Sequence, residues 1–337
     1  MDDVRSRTTL EDVARVAGVS RATASRAVRG GELVSPVALE AVRRAVEQLG
    51  YVPNPAARSL VTRQTDTLAV VVPEDDARVF SDPFIAQAIG GVAEALAHTP
   101  KQLVLLMRAR GQENKRLLPY LRGGHVDGIV VLSHHRDDHL ERELAALHLP
   151  LAFIGRPLEP QLAVPYVDVD NVAGGRLAAE HLLAAGARRL ATISGPLDMP
   201  AAVDRITGWS EALAEAGVTE VARYEGDFTL VRGEELGARL LAEHPEVDGV
   251  FAANDLTAAG VLHAARAAGR SVPRTLRLVG YDDTQLGLTT HPQLTSITNP
   301  GRDLARRATR MVLDQLAGQP APPPIIITPV LVERASG

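Results

Sequence analysis

From Thr65 onward the chain alternates short apolar runs with amphipathic stretches, and this repeat limits the fold more than any other feature. The runs are Leu68-Ala69-Val70-Val71-Val72, Leu103-Val104-Leu105-Leu106, Ile129-Val130-Val131-Leu132, Leu151-Ala152-Phe153-Ile154, Leu190-Ala191-Thr192-Ile193, Val250-Phe251-Ala252 and Leu276-Arg277-Leu278-Val279. Each is continuous, as expected of parallel strands covered on both faces. Helical stretches between them, such as 171–185 and 255–268, complete repeated β-α units and predict a doubly wound α/β body. A break at Leu162-Ala163-Val164-Pro165 divides that body into two parallel-sheet subdomains, with crossovers expected near 163 and 292. Ligands in such sheets bind beyond the carboxyl ends of the strands, and between two halves that place becomes a cleft.

Charge separates the body from what precedes it. Residues 1–63 hold ten Arg against seven Asp/Glu, a net of +3, while the rest carries −8 within an overall −5. A small basic head on an acidic body fits a phosphate-binding module joined to a larger domain that does not bind nucleic acid. The absence of cysteine rules out disulfides, thiol nucleophiles and Cys-based zinc sites. No apolar h-region follows Met1-Asp2-Asp3, and no run approaches 18 apolar residues, so a soluble cytoplasmic protein is expected.

In the head, Thr9 is placed to cap a first helix, with Asp12 three residues on to complete a capping box. Gly18 stops that helix in the left-handed conformation. Ser20 caps a second helix running to about Val28, whose small residues Ala22, Ala24 and Ala27 allow close packing. Two short helices joined by a Gly-containing turn make a helix-turn-helix. The second helix presents Arg21, Ala22, Thr23, Ser25 and Arg26 to base edges and phosphates. A third helix, Pro36 to Leu49, is capped by Ser35 and ended by Gly50. Its stripe Val37, Ala38, Ala41, Val42, Ala45, Val46 and Leu49 would close a three-helix core. Asn54 and Pro55 can begin one further short helix, too short to be stable alone.

The combination Ala17-Gly18-Val19-Ser20-x-x-Thr23-x-Ser25-Arg26, then Leu49-Gly50-Tyr51-x-Pro53-Asn54-x-x-Ala57-Arg58-Ser59-Leu60, resembles the lactose/galactose repressor (LacI/GalR) family. Ala24 departs from the valine more usual there. The resemblance implies an all-α helix-turn-helix head over 1–53, a hinge helix and linker over 54–64, and an effector-binding and dimerisation body of periplasmic-binding-protein type over 65–337. It implies DNA contacts from Thr9, Ser20, Arg21, Ala22, Thr23, Ser25 and Arg26, and from Asn54, Ala57 and Leu60 of the hinge. Leu60 would wedge into the minor groove and bend the duplex. Arg21 and Ala22 match the positions that choose the operator, and an Arg there can take a guanine bidentately or a phosphate.

Candidate ligand residues sit where strands of the body end. They are Arg205 before Gly208-Trp209, Phe228 after Gly226-Asp227, Asn254-Asp255, and Asp282-Asp283 after Gly280-Tyr281. By the resemblance, Arg205 and Asp282 bond ligand hydroxyls with Asn254 assisting, Phe228 lies against a sugar or base ring, and Phe84 and Asn299 add to the site. Such a set suits polyols, since charged planar groups take vicinal hydroxyls and an aromatic face takes the C–H side. Each residue also has a plainer reading: Arg205 paired with Asp204, the phenylalanines in the core, Asp282 capping a helix. Gly155-Arg156 lacks the ligand-facing acid of some relatives.

Two other classes compete. An enzyme would need chemistry the sequence shows weakly. His134, His135 and His139 include an i, i+4 pair with no third metal ligand at a recognisable spacing, and a solvated loop leading into a helix is the better explanation. Adjacent Asp282-Asp283 would not face each other as glycosidase carboxyls must. A secreted sugar-binding protein would fit the body but not the basic head. The prediction is therefore a sequence-specific transcription regulator, expected to be a repressor whose operator affinity is set by a sugar or sugar derivative. No catalytic residue, metal or cofactor is expected. A homodimer on a pseudo-palindromic operator is expected from geometry, since one helix-turn-helix offers little contact area. The C-terminal Pro329-Val-Leu-Val-Glu333 region lacks leucine heptads, which favours a dimer over a tetramer.

Overall fold

Local capping rules set the head. In the computed structural model, Thr9 Oγ1 accepts from the Asp12 amide at 3.3 Å and Asp12 Oδ2 accepts from the Thr9 amide at 3.0 Å, closing the capping box of α1 (Leu10–Ala17). These bonds, those from the Thr9 side chain foremost, hold the Asp12 carboxyl down at about 2. Gly18 ends the helix at φ 67°, a backbone that only glycine adopts without strain. Ser20 Oγ accepts from the Thr23 amide at 3.1 Å and starts α2 (Arg21–Val28). Ser35 caps α3 (Pro36–Leu49). The core of this unit is Val13, Ala14, Ala24, Ala27, Val42 and Ala45, with Val46 and Leu49 packed at its edge. Four expected packing residues stand outside it: Val37 is 81% exposed at the first turn of α3, Ala22 faces solvent, and Ala38 and Ala41 are half-buried outside the cluster.

The structure describes residues 8–28, 30, 33–52, 64–108, 115–136 and 139–337, and these fall into two compact units, Met1–Thr65 and Asp66–Gly337. The expected hinge helix, with Asn54, Ala57 and Leu60, lies outside the described residues.

The second unit opens with β1 (Thr67–Val72), α4 (Asp76–Ser81), α5 (Pro83–Leu96), β2 (Gln102–Met107), α6 (Leu117–Arg122), β3 (Gly128–Leu132), α7 (Leu140–Ala145), β4 (Leu151–Ile154) and β5 (Tyr166–Val169). There follow α8 (Asn171–Ala184), β6 (Leu190–Ser194), α9 (Pro200–Glu215), β7 (Ala222–Glu225), α10 (Leu230–Glu243), β8 (Gly249–Ala252), α11 (Asp255–Ala267), β9 (Arg277–Asp282), α12 (Gln285–Thr289) and β10 (Thr295–Thr298). The chain finishes with α13 (Gly301–Leu316), β11 (Ile325–Ile327) and β12 (Leu331–Val332).

The strands form two six-stranded sheets, ordered β11-β5-β4-β3-β1-β2 and β12-β10-β9-β8-β6-β7. The first is parallel throughout, and the second is parallel except where β12 runs against β10. Leu68, Val70, Val130, Ala152 and Val167 lie against α5 and α13 on one face of the first sheet; Ala69, Val71, Ile129 and Phe153 fill the other.

The crossovers fall later than Pro165 suggested. β5 pairs with β4 in the first sheet, so the chain passes to the second sheet at Asp170, not near 163. It returns after β10, at 299–300 and not near 292, because α13 packs on the first sheet. A third passage lies between β11 and β12. Pro165 marks the turn into β5, a strand hidden from the apolar pattern by Asp168 at its centre.

In the second half, α8 and α9 touch backbone to backbone. A Cβ on Gly208 would stand 1.8 Å from the Val172 carbonyl oxygen, and one on Gly175 would stand 1.9 Å from that of Arg205. This reciprocal glycine contact presses α9 onto α8 and fixes where Arg205 emerges.

Candidate functional site

Two surfaces collect the candidate residues, one in each unit. On the head, Thr9, Ser20, Arg21, Ala22 and Arg26 are exposed, while Thr23 and Ser25 are half-buried. All but Thr9 lie at or within α2, whose buried side is Ala24 and Ala27. Ser20 and Thr23 join their hydroxyls at 2.9 Å, and Arg26 Nε reaches the Ala22 carbonyl at 3.4 Å. Arg21 Nε pairs with Glu11 of α1 at 3.1 Å. Sequence reasoning missed that pair, which holds the guanidinium beside α1.

In the body a cavity lies at the carboxyl ends of strands from both sheets. Phe84, Arg205, Phe228, Asn254, Asp282 and Asn299 all line it. Arg205 is buried on α9, where its Nε donates to Asn171 Oδ1 at 2.9 Å, Nη1 to the Ala253 carbonyl at 2.5 Å, and Nη2 lies 3.5 Å from Asp282 Oδ1. Its guanidinium stacks 3.6 Å from the Tyr281 ring centroid. The simple pairing of Arg205 with Asp204 does not occur, because Asp204 is held by Arg156.

Asp282 does not cap a helix. It takes Nδ2 of Asn299 at 2.9 Å and sits at φ 94°, with Asp283 at 48° beside it; this left-handed turn aims Asp282 into the cavity, while Asp283 pairs with Arg334. Burial raises the Asp282 carboxyl above the usual carboxylate range, against the pull of Arg205 and Asn299. Phe228, at φ 66°, stands with its ring 5.2 Å from the Arg78 guanidinium and 5.8 Å from that of Arg205. Asn254 uses its amide in the scaffold: Oδ1 caps α11 at Thr257 and Nδ2 donates to the Phe228 carbonyl. One N–H remains for a ligand.

The first half contributes charges that the sequence reading did not single out. Arg78 and Asp168 line the cavity, as does Asp82, whose Oδ1 accepts from the Phe84 amide at 2.9 Å. Burial, then the nearby Asp282, pushes the Asp82 carboxyl up to about 6; burial also raises Asp168. Asp82 stood beside a chosen residue in Asp82-Pro83-Phe84, but nothing local marks a carboxylate that folding will bury.

The histidine cluster is the clearest correction. His134 and His135 are each 3% exposed, not part of a solvated loop. His135 reaches Glu74 and Asp198, both at 2.9 Å, and His134 Nε2 lies 3.1 Å from the Arg156 carbonyl. His139 precedes α7 at φ 52°, so it shares no helix face with His135. Among the described residues no three His, Cys, Asp or Glu side chains are grouped to hold a metal, and no helix is long and apolar enough to cross a membrane.

Both units of the chain match known families. Residues 9–54 match the family of bacterial regulatory proteins, lacI family, and residues 179–337 match a periplasmic binding protein-like domain. The HTH-type transcriptional regulator CelR of Thermobifida fusca is 45% identical over 99% of each chain, and the ribose operon repressor of Bacillus subtilis 32% over 96%. A solved CelR–cellobiose complex aligns over 98% of this chain and all of its own at TM-score 0.76 and 42% identity. The lac repressor dimer bound to operator and an anti-inducer aligns over 98% and 99% at TM-score 0.87 and 27% identity. With identity of this level along essentially its whole length, the chain belongs to the lacI family of bacterial regulatory proteins.

Proposed function

We propose that this protein is a sequence-specific DNA-binding transcriptional regulator, acting as a repressor, whose operator affinity is set by a sugar in the cleft of the body. One observation carries the reading: a cavity that gathers the buried Arg205–Asp282–Asn299 set and two phenylalanines lies in the same chain as a helix presenting Arg21, Ala22 and Arg26. The preorganised charged groups suit vicinal hydroxyls and the rings suit a sugar's C–H face. Since CelR was solved with cellobiose, a β-linked glucose disaccharide is the first ligand to try. Residues 1–53 act as the DNA-binding domain, 54–64 as hinge and linker, and 65–337 as the effector-binding and dimerisation domain. Two chains bind a pseudo-palindrome, in the cytoplasm, without catalysing a reaction on the sugar. Effector binding changes how the two bodies meet, the hinge loses its partner, and operator is released. Selecting bound sites from random DNA with and without cellobiose tests this. A recovered palindrome whose binding cellobiose weakens supports it; no sequence preference, or turnover of the sugar, defeats it.

A further inference from the structure

Two carboxylates of the second half reach across the cleft to the first. Asp198, in the loop after β6, accepts from Nδ1 of His135, in the loop after β3, at 2.9 Å; its carbonyl also accepts from the Arg136 amide at 3.0 Å. Asp204 on α9 takes both Nε and Nη2 of Arg156, after β4, at 2.5 and 2.7 Å. The neighbours of these groups in sequence, Ser133, His134 and Gly155 on one side and Met199 and Pro200 on the other, line the cavity. Separating the two pairs would therefore open that wall.

We infer that Asp198 and Asp204 are positioning residues for the effector: by holding His135 and Arg156 they keep the two halves closed around the cavity, and the His135 contact makes closure depend on proton uptake. The inference rests on the proposed sugar-binding role of the cleft. The proton dependence follows from hydrogen-bond geometry. His135 has a carboxylate at each ring nitrogen, Glu74 at Nε2 and Asp198 at Nδ1. A neutral imidazole has one N–H and can satisfy one of them; the imidazolium donates to both. His135 and Glu74 are almost fully buried, so an unmatched contact there is expensive. Opening removes Asp198 and leaves Glu74, which also takes Nη1 of Arg78 at 2.6 Å and the Ser133 hydroxyl at 2.5 Å. Arg78 in turn faces Asp82 at 3.9 Å, and His134 beside His135 faces Glu141 at 3.2 Å.

The directions agree. Burial opposes the imidazolium, but bonds and charge from Glu74 and Asp198 outweigh it and raise His135 above its ordinary value. Burial likewise opposes the Glu74 carboxylate, and His135 and Arg78 outweigh it and hold Glu74 low. A raised histidine favours the closed form at low pH, and this share of closure is lost as pH rises through the raised value. The Arg156–Asp204 pair contains no imidazole and supplies the other share of closure.

The test uses the full chain without ligand. Cysteines introduced as Ser81→Cys and Val231→Cys, exposed positions on opposite halves in a chain with no cysteine of its own, carry spin labels. Labelled chain is diluted into excess unlabelled chain, so that distances within one chain are read. The distance should lengthen from pH 6 to pH 9. Asp198→Asn should remove most of that response, and Asp204→Asn should lengthen the distance at both pH values. In calorimetry at pH 6, each substitution should weaken cellobiose by about tenfold, the scale of a charged hydrogen bond. An unchanged distance between pH 6 and 9, or an Asp198→Asn chain that keeps the parent's response, overturns the inference. If the parent does not bind cellobiose, cellobiose as the effector fails, while the ligand-free distances still decide the closure.

Discussion

In the head, Arg21 and Glu11 meet at 3.1 Å with both side chains 71% exposed. In the body, Arg205 and Asp282 face each other at 3.5 Å with 5% and 8% exposed. The first pair is screened by water and worth about 0–1 kcal/mol, so a phosphate or guanine can take the guanidinium at little cost. The second is set in a low-dielectric site with Asn171, Asn299 and Tyr281 around it, and removing one member leaves a charge uncompensated. On the proposed reading, the head keeps its recognition groups exchangeable, and the body keeps its own fixed before any ligand arrives.

The contrast can be broken most forcefully at Arg205. Arg205→Ala should cost the body about 3–5 kcal/mol in denaturant unfolding and abolish its response to sugar, while operator selection stays with the head. A loss near that of a surface pair would show that Asp282 is not truly buried with its partner. Asp82 sharpens the same point through pH. Its folded carboxyl is raised to about 6 from an ordinary 3.8, so it stays protonated in the body where the unfolded chain has ionised. Its protonated form supports the fold below about pH 4, and this support, about 3 kcal/mol, is lost as pH rises to about 6. Unfolding free energies of the parent and Asp82→Asn should therefore diverge across that window, the parent falling; parallel curves would contradict the burial.

Gly208→Ala puts a Cβ 1.8 Å from the Val172 carbonyl oxygen. Forcing α8 and α9 apart should cost about 1–3 kcal/mol and, by moving Arg205, weaken sugar binding as well. Unchanged sugar affinity would separate helix packing from the site. Arg21→Ala should do the reverse. It should cost about 1–3 kcal/mol of discrimination for operator with thermal unfolding of the body unmoved; weaker binding to all sequences alike would assign Arg21 to phosphate.

These differences also explain what the sequence could disclose. Thr9, Gly18, Ser20, Ser35 and Gly50 act on neighbours within four residues, so the three helices of the head follow from reading along the chain. Six of the seven apolar runs mark interior strands covered on both faces, and the seventh is β2, a half-buried edge strand. β5, β7 and β10 were hidden: Asp168 interrupts the first, Arg223 and Glu225 face solvent from an edge in the second, and hydroxyl side chains fill the third. Motifs drew attention to Arg205 and Asp282. Asp82 and Arg78 had no such signal, and the spacing of His135 pointed to a metal pair, not to burial beside Asp198, 63 residues away. A histidine pair in a polar stretch looks solvated until the fold brings a carboxylate to each side of the ring.

The central claim is that an exposed reader and a buried cleft act as one device. The most direct measurement is operator affinity of the full chain, by fluorescence anisotropy on a selected palindrome, titrated with a sugar shown by calorimetry to bind. The account predicts operator release of about 5–150-fold in the parent and none in Arg205→Gln. A sugar that binds the parent in the cleft yet leaves its operator affinity unchanged would contradict it.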